Sequence, residues 1–325
     1  NRKRGSLIRP PPIDRCLSFN MRVCDSPAHI PLRMTPFNVR YHFLNSLFHL
    51  STRCGPRIGD TLFNPVIRLA QRRLIRRKGA FMLENMRLGL PGKTEQEYVD
   101  ILEQSVDHIW QFLLRNLFSK NSAANTRFVT NESLINEIVS GNEKGAVIIT
   151  SHQGDWENLV QYFKGRTDFD TCNLYRKPNC KIADRFLHRF RGINQYCSGY
   201  GISKKFKQSN GKKIFALFGV DQKPFKKGVE VNFLNRPTSI SPISVRIALK
   251  QNIPVVVAKT LIRNGRTEIS FRKISILPEI CTSNSNTVQY ALQQVMNQIS
   301  EDITDHPGQW VMWSHNFWKK PKEVA

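Results

Sequence analysis

Between Gly145 and Thr150 the chain runs Ala146-Val147-Ile148-Ile149, an apolar stretch with no polar break and three β-branched residues. Such a run fits a strand covered on both faces, which is the signature of a parallel sheet packed between helices. Downstream of it, helical and strand-like segments alternate. The pattern predicts helices over 156–164, 182–190, 242–250 and 287–303, and strands over 171–175, 213–220, 254–262 and 267–276. Strands alternating with helices predict an α/β fold, a mixed, mostly parallel sheet flanked by helices.

Upstream the texture is helical. Leu62, Phe63, Val66, Ile67, Leu69, Ala70, Leu74 and Ile75 recur at helical spacing, with Arg68, Arg72, Arg73, Arg76, Arg77 and Lys78 on the opposite face. Two readings fit this pattern: a helix lying in an anionic membrane interface, and a core-packed helix with a solvated Arg face. A second helix is predicted over 95–117. Residues 1–33, rich in Arg and Pro and without periodicity, read as a disordered basic leader lacking the apolar stretch of a signal peptide. The expected organisation is therefore that leader and one unit over 37–320, with a helical, membrane-facing part at 37–118 and an α/β core at 131–320.

Charge narrows the partners. The 325 residues hold 49 Lys+Arg against 25 Asp+Glu, a net of +24, concentrated before residue 80 and between Arg176 and Lys213. This excess favours a polyanionic partner: nucleic acid, an anionic membrane face, a phosphorylated substrate or an acidic carrier protein. No C₂H₂, RNP or KH pattern supports nucleic acid. Seven cysteines without a CxxC pair argue against a disulfide scaffold or a Cys₄ zinc site. No stretch reaches the roughly 18 apolar residues of a membrane span.

The chemistry concentrates in Thr150-Ser151-His152-Gln153-Gly154-Asp155-Trp156-Glu157, where a buried strand ends and a helix begins. Ligands of open α/β sheets bind at the carboxyl ends of strands. His152 is a residue able to take a proton from a hydroxyl near neutral pH. On one continuous helix, five residues turn about 500° and would splay His152 from Glu157. With His152 in the loop and Glu157 in the first turn, the carboxylate can reach back to orient the ring. Asp155 could be the orienting acid instead, or only the helix cap. No second His stands at metal-ligand spacing.

The H-x4-E element, in the form H-x-G-D-W-E after an apolar strand, resembles the active-site motif of the lipid A biosynthesis acyltransferases. Four further stretches fall in that family's order: Glu84-Asn85-Met86-Arg87-Leu88-Gly89-Leu90-Pro91, Tyr175-Arg176-Lys177-Pro178-Asn179, Val220-Asp221-Gln222 with Phe233-Leu234-Asn235-Arg236-Pro237, and Trp310 to Pro321. Two departures stand out. Leu234-Asn235 replaces the family's Phe-Gly, and Asn316-Phe317 replaces two Arg.

The resemblance implies transfer of a fatty acyl group from acyl carrier protein to a hydroxyl of a lipid A precursor. That is a late acylation in lipopolysaccharide biosynthesis, at the cytoplasmic face of the inner membrane. It implies His152 as general base with Glu157 as its partner. Arg176, Asp221, Gln222 and Asp155 would bind substrate or stabilise the oxyanion. Lys177, Arg185, Arg189 and Arg191 would contact carrier protein or phosphate. It implies no metal and no organic cofactor, acyl carrier protein being the co-substrate, and an anionic membrane surface as a further partner. Trp156, Phe186, Phe190 and Phe215 are candidates for the wall of an acyl slot.

Overall fold

The computed structural model describes residues 56–118, 127–174, 196–197, 199–209, 211–224, 228–276 and 284–318, all within one compact unit, Phe43–Ala325. Its strands are β1 (Arg127–Thr130), β2 (Gly145–Thr150), β3 (Asp170–Leu174), β4 (Tyr196–Cys197), β5 (Ile214–Gly219), β6 (Val229–Phe233), β7 (Arg236–Ile240), β8 (Val255–Arg263) and β9 (Arg266–Ile274). The helices are α1 (Pro56–Gly89), α2 (Glu95–Phe118), α3 (Glu132–Ser140), α4 (Trp156–Gly165), α5 (Gly199–Lys207), α6 (Ile243–Gln251) and α7 (Asn284–Asp305).

Seven strands form one sheet in the order β1-β9-β8-β2-β5-β3-β4, and β6-β7 make a separate hairpin. Every pair in the large sheet is parallel except β8-β9. The expected mixed, mostly parallel α/β fold is therefore what forms. The β8-β9 hairpin turns on Asn264-Gly265, both at positive φ (48° and 72°) as a two-residue turn of this hand requires. Sequence reading missed β1, α3, β4, α5 and the β6-β7 hairpin. The helix expected over 182–190 lies outside the described residues.

Strand β2 sits inside the sheet, and its alternating residues serve two cores. Val147 and Ile149 pack with α1, α2, α6, α7 and the C-terminal aromatics, while Ala146 and Ile148 pack with α3 and α4. This two-sided burial is why the strand carries no polar break. The chain leaving β2 leads to β3 beyond β5, whereas the chain leaving β5 leads to β8 beyond β2. Connections diverging from adjacent parallel strands open a crevice at their carboxyl ends.

The described side chains of helix α1 account for the second half of its stripe. Leu74, Ile75, Met82, Leu83 and Met86 pack into the core, and Arg68, Arg72, Arg73, Arg76, Arg77 and Lys78 are exposed. Leu69, at 69% exposure, is the large apolar side chain left among them. From Leu74 onward the apolar stripe is core, and the side chains this stretch exposes include Arg76, Arg77 and Lys78. Among the described residues no helix is long and apolar enough to cross a membrane.

Candidate active site

The carboxyl ends of β2 and β5 build the site. These strands run parallel in a register from Gly145↔Ile214 to Thr150↔Gly219. Two residues past each end stand His152 and Asp221, so the register continued beyond the ladder sets them side by side. The ladder is extended by the Val220 N–H donating to the Thr150 carbonyl at 3.1 Å. Asp221 meets the imidazole directly, with Oδ1 accepting from His152 Nδ1 at 2.6 Å. Its Oδ2 accepts two further bonds, from the His152 backbone N–H at 2.7 Å and from the Trp310 indole N–H at 2.7 Å.

Asp221 is fully buried, and burial by itself pushes its carboxyl up. The opposing charge of His152 and the hydrogen bonds from the ring, from Trp310 and from the His152 backbone outweigh it. They hold the group below the usual carboxylate range. When the imidazole is neutral, an ionised carboxylate on Nδ1 puts the one ring proton there and leaves Nε2 as an acceptor. Nε2 lies 3.1 Å from the amide Nε2 of Gln222, which donates to it. The His152 side chain keeps 21% of its surface exposed, against none for Asp221. The ring is therefore partly open to solvent while its carboxylate partner is sealed in.

The remaining faces of the ring are fixed by apolar contact. A Cβ added at Gly219 would stand 3.1 Å from His152 Cε1, so glycine is what gives the imidazole its place. On another side the Trp156 ring meets it edge-on at 5.2 Å and stacks on Phe112 at 3.7 Å.

The loop bearing His152 is pinned along its length. Val311 N–H donates to the His152 carbonyl at 3.2 Å, and Gly154 N–H to the Gln309 carbonyl at 3.0 Å. Thr260 Oγ1 donates to the Gln153 carbonyl at 2.5 Å, and the side-chain amide of Gln153 to the Asp302 carbonyl at 2.8 Å. His108 Nε2 contacts the Gly154 carbonyl at 2.9 Å. Gly154 adopts φ +59° with its Cα against the Thr260 carbonyl, where no side chain fits. These bonds fix the loop from His152 to Gly154.

Three expectations change. The ring nitrogens of His152 are met by Asp221 and Gln222, so the His152–Glu157 pair is replaced by His152–Asp221. Glu157, 2% exposed, is buried in the first turn of α4. Asp155 is the cap of that helix: Oδ1 accepts from the Asn158 N–H at 3.3 Å, and Oδ2 from Thr267 Oγ1 at 3.0 Å. With both oxygens engaged and 3% exposure, Asp155 faces the fold rather than a substrate. Phe215 is plain core, packed at 4.2 Å on Phe169 and at 5.6 Å on Phe163. Arg176, Lys177, Phe186, Arg185, Arg189, Phe190 and Arg191 lie outside the described residues. Among the described residues no group of three or more His, Cys, Asp or Glu could hold a metal ion.

The motifs that seemed remote from the chemistry converge on its support. Trp310, Trp313, Phe317, Trp318 and Phe233 form one aromatic cluster under Asp221. Trp310 stacks on Phe317 at 5.7 Å and meets Trp313 edge-on at 4.5 Å. Phe317, in place of an Arg, is 5% exposed and belongs to this cluster, while Asn316 is exposed. Asn85 ties the segment to α1 by donating to the Trp313 carbonyl at 2.7 Å and the His315 carbonyl at 3.1 Å. Leu234 and Asn235 are the two-residue turn between β6 and β7, both at positive φ (47° and 62°). A glycine suits that turn, and Leu234 holds it by being 1% exposed in the core. Trp310 as the anchor of Asp221 was missed, because 89 residues separate the two in sequence.

No curated protein matches the chain. A family profile described as bacterial lipid A biosynthesis acyltransferase matches residues 39–320. Spanning the helical front, the sheet and the aromatic C-terminal segment alike, that match makes the chain a member of the bacterial lipid A biosynthesis acyltransferase family.

Proposed function

We propose that this acyltransferase moves a fatty acyl group from the thioester of acyl carrier protein to a hydroxyl of a lipid A precursor, a late acylation of lipopolysaccharide assembly. The observation that carries the reading is the orientation of His152. Its Nδ1 proton is committed to Asp221, and its Nε2 lone pair is turned to the half-open rim. Nε2 takes the hydroxyl proton as the alcohol oxygen bonds to the thioester carbonyl carbon. Asp221 stabilises the imidazolium so formed, and the proton passes to the departing thiolate as the C–S bond breaks.

The oxyanion needs donors. Arg176 and the amide of Gln222 are proposed for that role, with Lys177, Arg185, Arg189 and Arg191 for phosphate or the acidic carrier. Glu157 is kept as the buried acid at the foot of the same loop. The chain works from its own side chains, without metal or organic cofactor. It rests on the anionic cytoplasmic face of the inner membrane through the exposed Arg row of α1.

Mass spectrometry of a lipid A precursor incubated with enzyme and acyl carrier protein loaded with C12 or C14 chains tests the reading. It requires an acceptor heavier by one acyl group. An unmodified acceptor, with a glycerolipid or glycolipid acylated instead, would replace it.

A further inference from the structure

The lone pair that must receive the proton is already occupied. With the imidazole proton held on Nδ1 by Asp221, Nε2 can only accept, and the Gln222 amide 3.1 Å away is the group that donates to it. Any hydroxyl that uses the base must first displace Gln222. Gln222 is half-buried in the bend two residues beyond Val220, whereas Asp221 beside it is fully buried. The segment thus sets one residue inward to orient the ring and the next outward to cover it.

We propose that Gln222 is a guard on the base, which keeps water from Nε2 until the lipid hydroxyl arrives. The inference rests on the reading of His152 as general base for attack on an acyl thioester. The chemistry supplies the need. A thioester bound next to an uncovered imidazole is open to water, which would give up its proton to Nε2 and bond to the carbonyl carbon. The C–S bond would break, the thiolate would recover the proton, and a free fatty acid would be lost. Water and a lipid hydroxyl are alike as nucleophiles at this base. Discrimination must therefore come from what it takes to move the amide: a lipid anchored in the crevice can do it and a free water cannot. The displaced amide stays beside the reacting carbon, with its N–H groups released to face the carbonyl oxygen.

The test uses the full chain with lauroyl acyl carrier protein, with and without a lipid A precursor. A thiol reagent reports C–S cleavage, and mass spectrometry separates free fatty acid from acylated lipid. Gln222→Ala and Gln222→Ser should raise the ratio of acceptor-independent hydrolysis to lipid transfer at least about tenfold, below the roughly 10²–10⁴-fold a general base contributes, since loss of an oxyanion donor slows both reactions alike. Adding His152→Ala to either variant should abolish the rise. A ratio no higher than the parent's, in folded variants, would overturn the guard, as would a rise that survives loss of His152. Loss of His152 alone without effect on lipid transfer would instead remove the reading beneath it.

Discussion

An imidazole that accepts at Nε2 must carry its proton on Nδ1, and a buried carboxylate is the strongest device for keeping it there. Asp221 does this at 2.6 Å and is itself kept ionised by the charge and hydrogen bond of the ring and by two N–H donors on its other oxygen. Its folded pKa lies below that of the unfolded chain, so on acidification the unfolded state takes up the proton first. The carboxylate therefore stabilises the fold above about pH 4, and the contribution is lost as pH falls through the folded value. Asp221→Asn should flatten the acid limb of the stability curve measured by thermal melting, and an acid limb matching the parent's would contradict this. Gly219 tests the geometry alone. In Gly219→Ala the methyl presses on Cε1 while the strand keeps its ladder. Transfer should drop severalfold with the melting temperature nearly kept, since the ring must give by only a few tenths of an ångström where a full ångström is worth about 10²-fold; unchanged turnover would mean that the ring is not fixed there. At this scale the sequence pointed to His152 at the end of a strand, and the family resemblance pointed to Asp221 and Gln222. It could not show which acid meets the ring, because that depends on β5 lying beside β2, while β3 and β4, which intervene in sequence, lie beyond β5.

Among elements, the C-terminal 3₁₀ turns at Pro307–Gln309 and Val311–Ser314 do more than close the chain. Between them Trp310 bridges to Gln153 in the loop and lends its indole N–H to Asp221. Its own carbonyl accepts from Ser105 of α2 at 2.9 Å. Removing that donor leaves a buried carboxylate oxygen short of a partner, a cost of about 1–3 kcal/mol. Trp310→Phe should accordingly lower kcat while leaving KM close to the parent value, since the indole holds the base and not the substrate. A rise in KM with kcat intact would assign Trp310 to substrate binding. Helix and strand positions for β2, α4, β5, α6, β8, β9 and α7 were legible from apolar runs and periodicity. The β6-β7 hairpin was not, because its turn places Leu234, a residue with no turn preference, at positive φ.

For the whole molecule, the basic charge divides into what packing uses and what it leaves outside. From Leu74 onward helix α1 packs its apolar stripe into the core, and it presents Arg68, Arg72, Arg73, Arg76 and Arg77 to solvent. Replacing all five by Gln should weaken sedimentation with phosphatidylglycerol vesicles at least about tenfold, given roughly 1 kcal/mol per basic residue at an anionic surface. The melting temperature should not move. Sedimentation equal to the parent's would take this row out of membrane contact. Sequence alone could not separate a membrane face from a core face here, since both ask for the same stripe of Leu and Ile, and only the packing of Leu74 and Ile75 tells them apart.

The most direct measurement is the rate at which the lipid A precursor gains an acyl chain in the parent, in His152→Ala and in Asp221→Asn, with folding checked by circular dichroism. Loss of at least about 10²-fold in both folded variants is the predicted result, the ordinary scale for removing or misaligning a general base. Near-parental rates in either would contradict the pairing of these two residues as the acyl-transfer base.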